Sequence, residues 1–514
     1  MTTFSNPSLS DTGLDADLLD LLIAEHQNAI LPRLQRLWDY YRNDLEAPGE
    51  VPGSCAGERF DAGRPYRLSQ ERGLPPRFTQ PAPAAAFTGT QRDIVIENDI
   101  AWRMHTMVDF MLGQPFALTS LAIDPARPDL PRHIEQLLAA IFTAHGGIAF
   151  FQDLALLGSI YGYADVLLRV DAQAKAPPRP GGGPHATNST SFNPAELAPL
   201  FILETIEAPR AIPVLEPADY RKLDAYVLHY YQQLNEVQHD SRLAQAVPHT
   251  IARSIATPRR RTIECVEVWS PSAVVRFEDR RLVERLPNRL GRLPVVHIQN
   301  LPLPFFYEGL SDVEPLIPLQ DELNIRLSDR ANRVTFQSFK MYLGKGIENF
   351  NQRPVGPGQM WQTDNLQATI EEFGGDASCP SEDAHIEQLR DALDKTSGVT
   401  PIAAGLLRDK IGNLTSENAL RVVLMGLLAK TERRRISYGA GIARLCELIL
   451  HAADVMGVLP TRPQDRQVRL DWPSPLPENT QQRLEEARLK IDLGVPREQV
   501  LSELGYAPHS TCTA

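Results

Sequence analysis

The chain has 514 residues, 43% apolar and 23% charged, which is the composition of a folded protein with sizeable cores. Its formal charge of −12 excludes a protein that coats nucleic acid through a basic surface, but not one that lets DNA pass without gripping it. Cys55, Cys265, Cys379, Cys446 and Cys512 are far apart and lack zinc or redox spacing, the pattern of reduced thiols.

The N-terminus, "MTTFSNPSLSDTGLDADLLDLL", is acidic where a secretory signal would be basic, so export is not expected. Residues 14–46 are predicted helical, with Leu14, Leu18, Leu21, Leu22 and Ile23 on one face. Residues 47–86, rich in Pro and Gly, read as an irregular arm. A helix is predicted over 93–112, with Ile96, Ile100, Met104, Met107, Val108 and Met111 on its apolar face and "GQP" ending it. Helices at 131–145 and 148–159 are split by Gly146-Gly147. The weakly polar run 137–151 falls short of the about 20 residues that span a bilayer, so no membrane is expected. "YADVLLRVD" reads as a strand, 172–193 as a low-complexity loop, and "FILETI", "AYVLHYY", "CVEVW", "AVVRFED" and "LPVVHIQ" as further strands.

Next comes "GLSDVEPLIPLQDELNIRLSDRANRVTFQSF". Ser311 and Glu314 have capping-box spacing. Leu316, Leu319, Leu323, Leu327, Ala331 and Val334 recur at helical spacing, and Asp321, Asn324, Ser328 and Asn332 line another face, predicted to meet water or a wet lumen. A short strand-rich stretch, a helix at 384–397 and a long helix over 415–456 follow, with bends expected at Gly426, Gly439 and Gly441. Helices at 477–493 and 496–505 close the chain.

Enzyme signatures are missing from the sequence. "GSIYG" is no nucleophile elbow, because Ser159 directly follows the glycine; it reads as a helix stop. "LGKG" lacks the upstream glycine and the Ser/Thr of a phosphate loop. Two basic features stand out. Between Arg253 and Arg292 there are ten Arg against five acids, Arg259, Arg260, Arg261, Arg280 and Arg281 among them: either a solvated β surface or a docking face for an acidic partner or phosphates. In "LAKTERRRIS", three adjacent Arg point around a helix, so most are expected to face solvent or a neighbouring subunit.

The segments "NDIAWRMHTMVDFMLGQP", "LALLGSIYGYADVLLRVD", "GRLPVVHIQNLP…GLSDVEPLIPLQDELNIRLSDRANR" and "LTSENALRVVLMGLLAKTERRR", in this order, resemble the portal proteins of tailed bacteriophages over roughly 93–460. The arm 47–86 and the loop 172–193 depart from the family's pattern. The resemblance implies an α+β portal fold with wing, stem, clip and crown, and a ring of usually twelve subunits around a DNA channel. The wing would take 1–235 and 341–456, the clip 236–300, the stem helix 301–340 and the crown 457–514. Asp321, Asn324, Ser328 and Asn332 would lie on the stem helix, which would pack on neighbouring subunits and turn its polar face to the channel or solvent. The Arg cluster would dock the packaging motor. The loop 397–413 would be the tunnel loop, with Leu406, Leu407, Arg408, Asp409, Lys410, Ile411 and Asn413 facing passing DNA. The implied partners are double-stranded DNA, the large terminase, major capsid and scaffold proteins and a neck or tail adaptor, within a virion assembled in the host cytoplasm. No cofactor is implied. A head-completion or tail adaptor, or a hydrolase with an unrecognised site, are the rival readings.

Overall fold

The computed structural model of the protein describes residues 4, 9, 11–43, 45–46, 67–79, 93–170, 192–238, 257–338, 341–346, 366–373, 379–404, 417–476, 480–497 and 500–501. Helix α1 (Ala16–Glu25) begins where the Asp15 carboxylate accepts the N–H of Ala16 (2.9 Å). It runs through a π-helical turn, His26–Ile30, into α2 (Leu31–Arg42), which stops at Asn43 in the left-handed region. Leu19, Ile23, Leu34 and Leu37 are buried, whereas Leu18 and Leu21 are 40% and 63% exposed. The run "LLDLLI" carries leucine on every side, so its inward face is set by the surface it meets.

His26, in the π turn, is 1% exposed. Burial, reinforced by the nearby His229, lowers its pKa from 6.5 to about 4. A base whose folded pKa is depressed contributes stability that is complete above 6.5 and is lost as pH falls towards 4. After allowance for solvent screening, about 1–2 kcal/mol should disappear over that window. Urea unfolding at pH 7 and pH 4.5 checks this: the difference in midpoint should shrink in His26→Leu, and an unchanged difference would refute it.

The chain is extended from Asp93 to Asn98, and α3 (Ala101–Leu112) starts eight residues later than the periodicity suggests. It ends at Gly113, as expected. Helices α4 (Leu130–Ala144) and α5 (Ile148–Tyr161) meet at a 68° bend. Among the described residues no single helix is long and apolar enough to cross a membrane. Ile134, Leu137, Leu138, Ile141 and Leu154 are fully buried in the main core. The stop at Gly162 has φ +92°, and a Cβ there would lie 2.3 Å from the carbonyl oxygen of Gly309, so only glycine serves.

Strands β1 (Tyr163–Val170) and β2 (Phe201–Ile206) pair antiparallel. A five-stranded meander follows: β3 (Ala211–Glu216), β4 (Asp219–Gln238), β5 (Thr257–Trp269), β6 (Ala273–Glu278) and β7 (Arg281–Pro287), each hydrogen-bonded to its predecessor. Strand β8 (Val295–Gln299) returns to the free edge of β1. Period-two alternation gives the meander two apolar faces. Val227, Val266, Val268, Val275 and Phe277 pack under α1; Tyr226, Leu228 and Trp269 meet Leu167 and Ile206 of the small sheet. Where the sheets join, the fully buried Asp165 accepts the Tyr226 hydroxyl (2.7 Å) and the Tyr307 hydroxyl (3.2 Å) and lies 2.7 Å from His297 Nδ1.

Helix α6 (Ile317–Ser338), the antiparallel pair β9 (Met341–Lys345) and β10 (Thr369–Phe373), and helix α7 (Pro380–Ser397) come next. The long helix expected over 415–456 is two pieces, Glu417–Val423 and α8 (Met425–Val455), broken at Leu424. Gly439 and Gly441 do not interrupt α8. Its buried side, Ile442, Leu445, Cys446 and Ile449, closes the main core against α4, α5, β1 and β8. Helix α9 (Thr480–Asp492) follows; of the arm expected at 47–86, residues 67–79 are described, with a short strand (Arg67–Leu68), a 3-10 turn (Ser69–Gly73) and a helical turn (Pro76–Thr79), while 47–66, 80–86, 172–191 and most of 496–505 lie outside the described residues. The fold is α+β, as expected.

Candidate functional site

Ser311 opens α6. Its Oγ accepts the N–H of Val313 (3.1 Å) and of Glu314 (3.2 Å). The reciprocal half of the predicted capping box is replaced by a salt bridge, because the Glu314 carboxylate takes Arg33 (2.9 Å). Leu316, Ile317, Leu323 and Leu327 then enter a core shared with α2, α3 and α7.

The polar face of α6 has a different partner from the one expected. Gln320, Asn324, Ser328 and Asn332 sit four residues apart, and each binds one alternate residue of the extended segment 93–99. The N–H groups of Asp93, Val95, Glu97 and Asp99 donate to Asn332 Oδ1 (3.0 Å), Ser328 Oγ (3.0 Å), Asn324 Oδ1 (3.2 Å) and Gln320 Oε1 (3.1 Å). In return Asn332 Nδ2 donates to the Asp93 carbonyl (2.7 Å) and Ser328 Oγ to that of Val95 (3.3 Å). Four helical residues rise about 6 Å and two extended residues about 6.6 Å, so the helix side chains stand in for a neighbouring strand. Gln320, Asn324 and Ser328 are 0% exposed, and Asp321 accepts the Tyr40 hydroxyl (2.6 Å), its carboxyl pushed up by burial. The expectation that this face meets a channel or solvent is corrected: amides and hydroxyls satisfied by backbone look, in sequence, like a wetted face. Gln320 was missed, although it completes the four-residue series.

Helix α7 runs beside α6, tied to it by Arg330–Asp383 (3.3 Å) and Arg333–Glu382. Its C-terminus is gripped by Arg103 of α3, which is 1% exposed. Arg103 Nη2 pairs with Asp394 (2.7 Å) and Asp99 (3.1 Å), and Nη1 donates to Ser397 Oγ (3.0 Å) and the Val399 carbonyl (2.7 Å). From the far side Lys430 of α8 donates to the Ser397 carbonyl (2.8 Å) and pairs with Asp312 (2.6 Å). The start of the segment between α7 and α8 is thus held by two cations. Leu406, Leu407, Arg408, Asp409, Lys410, Ile411 and Asn413 lie outside the described residues. Arg103 was missed; its signal is one Arg among Ile100, Met104, Met107 and Met111.

The Arg-rich sheet is less open than its local composition suggests. Arg280 pairs with Asp20 of α1 (2.6 Å) and Glu264 (3.4 Å) and lies over the Phe4 ring (5.0 Å). Arg285 pairs with Asp11, and the exposed Arg261 with Asp279 (2.7 Å). Arg281 is exposed. Arg259 and Arg260 stand opposite Glu236 and Asn235 on β4. The docking assignment is corrected for Arg280, which fastens α1 to the sheet by bridging Asp20 on the helix and Glu264 on β5. In "TERRRIS", Arg434 and Arg435 are 1% and 7% exposed; only Arg433 faces outward, contrary to expectation. Arg434 Nη2 donates to Ser159 Oγ (2.7 Å) and the Ala155 carbonyl, and Arg435 lies over the Trp472 ring.

The model of the family described as phage portal protein, SPP1 Gp6-like, matches residues 203–505, more than half of the chain. The chain belongs to this family. No curated protein matches it. The match takes in the meander, α6, α7, α8 and α9, and so the helix pair and both sides of the segment between α7 and α8. As a phage portal protein it is a virion component, of a structural, non-enzymatic family whose members form rings and meet capsid and DNA. That assignment favours the portal reading over the hydrolase and adaptor readings. Among the described residues no group of three His, Cys, Asp or Glu could hold a metal ion.

Proposed function

We propose that this portal protein forms a closed ring of twelve copies whose opening is the conduit for double-stranded DNA during packaging and ejection. In this reading the ring docks the large terminase and later a neck or tail adaptor, and contacts major capsid and scaffold proteins. The α6–α7 pair is the stem, residues 1–235 and the α8 region the wing, 457–514 the crown. The clip falls at β9 and β10 rather than at 236–300. What favours this is that the meander is built into the body by cores on both faces, whereas Leu343 on β9 and Leu366 in the turn before β10 are 46% and 102% exposed. Docking of the motor through Arg259, Arg260, Arg261 and Arg281 is kept only as a contribution from the rim.

The observation that carries the reading is the family match across α6, α7 and α8. The anchoring of residues 397–399 by Arg103 and Lys430 supports a tunnel loop at 397–413: a loop that constricts a channel needs a fixed base and a free tip. Leu406, Leu407 and Ile411 would narrow the opening, Arg408 and Lys410 would touch phosphates in passing, and Asp409 would keep those contacts weak, with Asn413 at the exit. A channel for sliding DNA must avoid tight phosphate binding, which the net charge of −12 per copy disfavours. Native mass spectrometry of the purified protein at micromolar concentration should show closed rings; monomers and dimers alone would defeat the reading. Leu406→Ser/Leu407→Ser should keep the rings and reduce DNA retention in assembled heads severalfold.

A further inference from the structure

Beside β8 the surface opens into a cavity of about 360 Å³, floored by Val295, Val296 and Leu448. Four cations line it: Arg221, Lys222, Arg292 and Arg444. Three are compensated. Arg221 pairs with Asp219 (2.9 Å), Lys222 with Glu216 (3.4 Å) and Arg292 with Glu447 (3.1 Å). Arg444, exposed on α8, makes no ion pair among the described residues; its guanidinium donates only to the carbonyls of His297 (2.9 Å) and Ala440 (3.4 Å).

An aromatic loop adjoins this cavity. Phe305 has φ +70°, a backbone region unfavourable for any residue with a bulky Cβ substituent. The strain does not serve burial, since Phe305 is 81% and Phe306 59% exposed. The loop is nonetheless held: Gln299 Nε2 donates to the carbonyls of Phe306 and Tyr307 (2.9 Å each). The Phe305 ring rests 6.3 Å from that of Tyr220, next in sequence to Arg221. On the other side Ser437 of α8 donates to the Gln299 carbonyl, beside Ile436, which is 75% exposed. The loop is thus joined to the cavity rim through Tyr220 and its neighbour Arg221, which lines the same cavity as Arg444, and to α8 through Gln299 and Ser437. A strained backbone that keeps two phenyl rings in water points to a contact made elsewhere.

We propose that this surface docks one copy of the protein onto the next, with Phe305, Phe306 and Ile436 entering an apolar site on the neighbour and Arg444 taking one of its carboxylates. The inference rests on the ring reading above. A closed ring of identical chains is built from heterologous contacts, so a patch such as this one meets a different surface of the adjacent copy. Charge argues for that occupant: the chain carries 64 acidic against 52 basic residues, so a neighbouring copy presents the carboxylates that an unpaired Arg needs. Exposed aromatics beside an Arg are also the composition of interface hot spots.

Two variants test it, Phe305→Gly/Phe306→Ser and Arg444→Glu, each read by native mass spectrometry across a concentration series, with circular dichroism to confirm folding. Glycine accepts the φ of +70° at 305, so the loop's backbone conformation stays open to the variant, and Arg444→Glu tests the same surface without touching the loop. The double variant should stay folded and need at least about thirtyfold more protein for half-assembly, and Arg444→Glu should show a similar shift. Rings of wild-type size and unchanged half-assembly concentration in both variants would overturn the proposal. So would intact rings that only fail to enter capsids, which would make a different chain the occupant. Failure of the wild-type chain to form rings would instead remove the ring reading itself, and this proposal with it.

Discussion

Arg103→Met should lower the unfolding free energy by about 3–5 kcal/mol, the range for breaking a buried ion pair from one side. The methionine fills the volume of the aliphatic stem but leaves the Asp99 and Asp394 carboxylates facing each other without their cation. It also strips donors from Ser397 and from the Val399 carbonyl, so the base of the α7–α8 connection loosens together with the core. Arg103→Lys should recover less than half of the loss. A single ammonium cannot span two carboxylates, a hydroxyl and a carbonyl arranged for a planar fork. Equilibrium urea denaturation reads both variants. A loss below about 1 kcal/mol in Arg103→Met would mean that the four contacts are not made in solution.

Asn324→Leu should release the extended segment without unfolding the rest. Asn324 accepts from the half-buried Glu97 N–H (3.2 Å) and from Gln320 Nε2 (3.0 Å) and donates to the buried Gln70 Oε1 (2.8 Å), so the substitution takes away the Glu97 and Gln70 partners. A buried group left unpaired costs about 1–3 kcal/mol and the half-buried Glu97 N–H about 1, so a total of about 2–4 kcal/mol should fall on the middle of the ladder. Amide exchange at Val95, Glu97 and Asp99 should then accelerate by about thirty- to a thousandfold, at 1.4 kcal/mol per factor of ten. Exchange in α4 and α5 should be unaffected, because they share no hydrogen bond with this face. Unchanged exchange at 93–99 would show that the ladder does not hold the segment.

Much of the architecture is legible in the residues. Apolar periodicity marks α4 and α5 and the C-terminal end of α8 to within a few residues, and strand-like composition marks β1, β2, β4, β5, β6 and β8 but not β3 or β7, because a core side chain's period reports the local backbone whatever it packs on. The glycines of "GSIYG" and "GQP" end helices as their chemistry requires. Of the candidate site, the two helices at 309–339 and 384–397 are legible as separate elements, but their lying side by side as α6 and α7 is not.

Three features were decided only in three dimensions. The segment 93–99 has helical periodicity through Ile96 and Ile100, yet its N–H groups are taken by side chains more than two hundred residues away, and that competition keeps it extended. The row Asn324, Ser328 and Asn332 announces polarity at helical spacing; whether water, a channel or a backbone satisfies it depends on what lies opposite. Arg280 and Arg434 count as surface charge in a local tally, but Asp20 and the α5 backbone reach them in the folded chain. Taken alone, the sequence determined most of the stretches that are helix or strand and, through the order of its segments, the portal family. Which polar groups are buried was left to the tertiary structure, because a hydrogen-bond or ion-pair partner is a matter of proximity in space, while periodicity records only which residues of one stretch share a face.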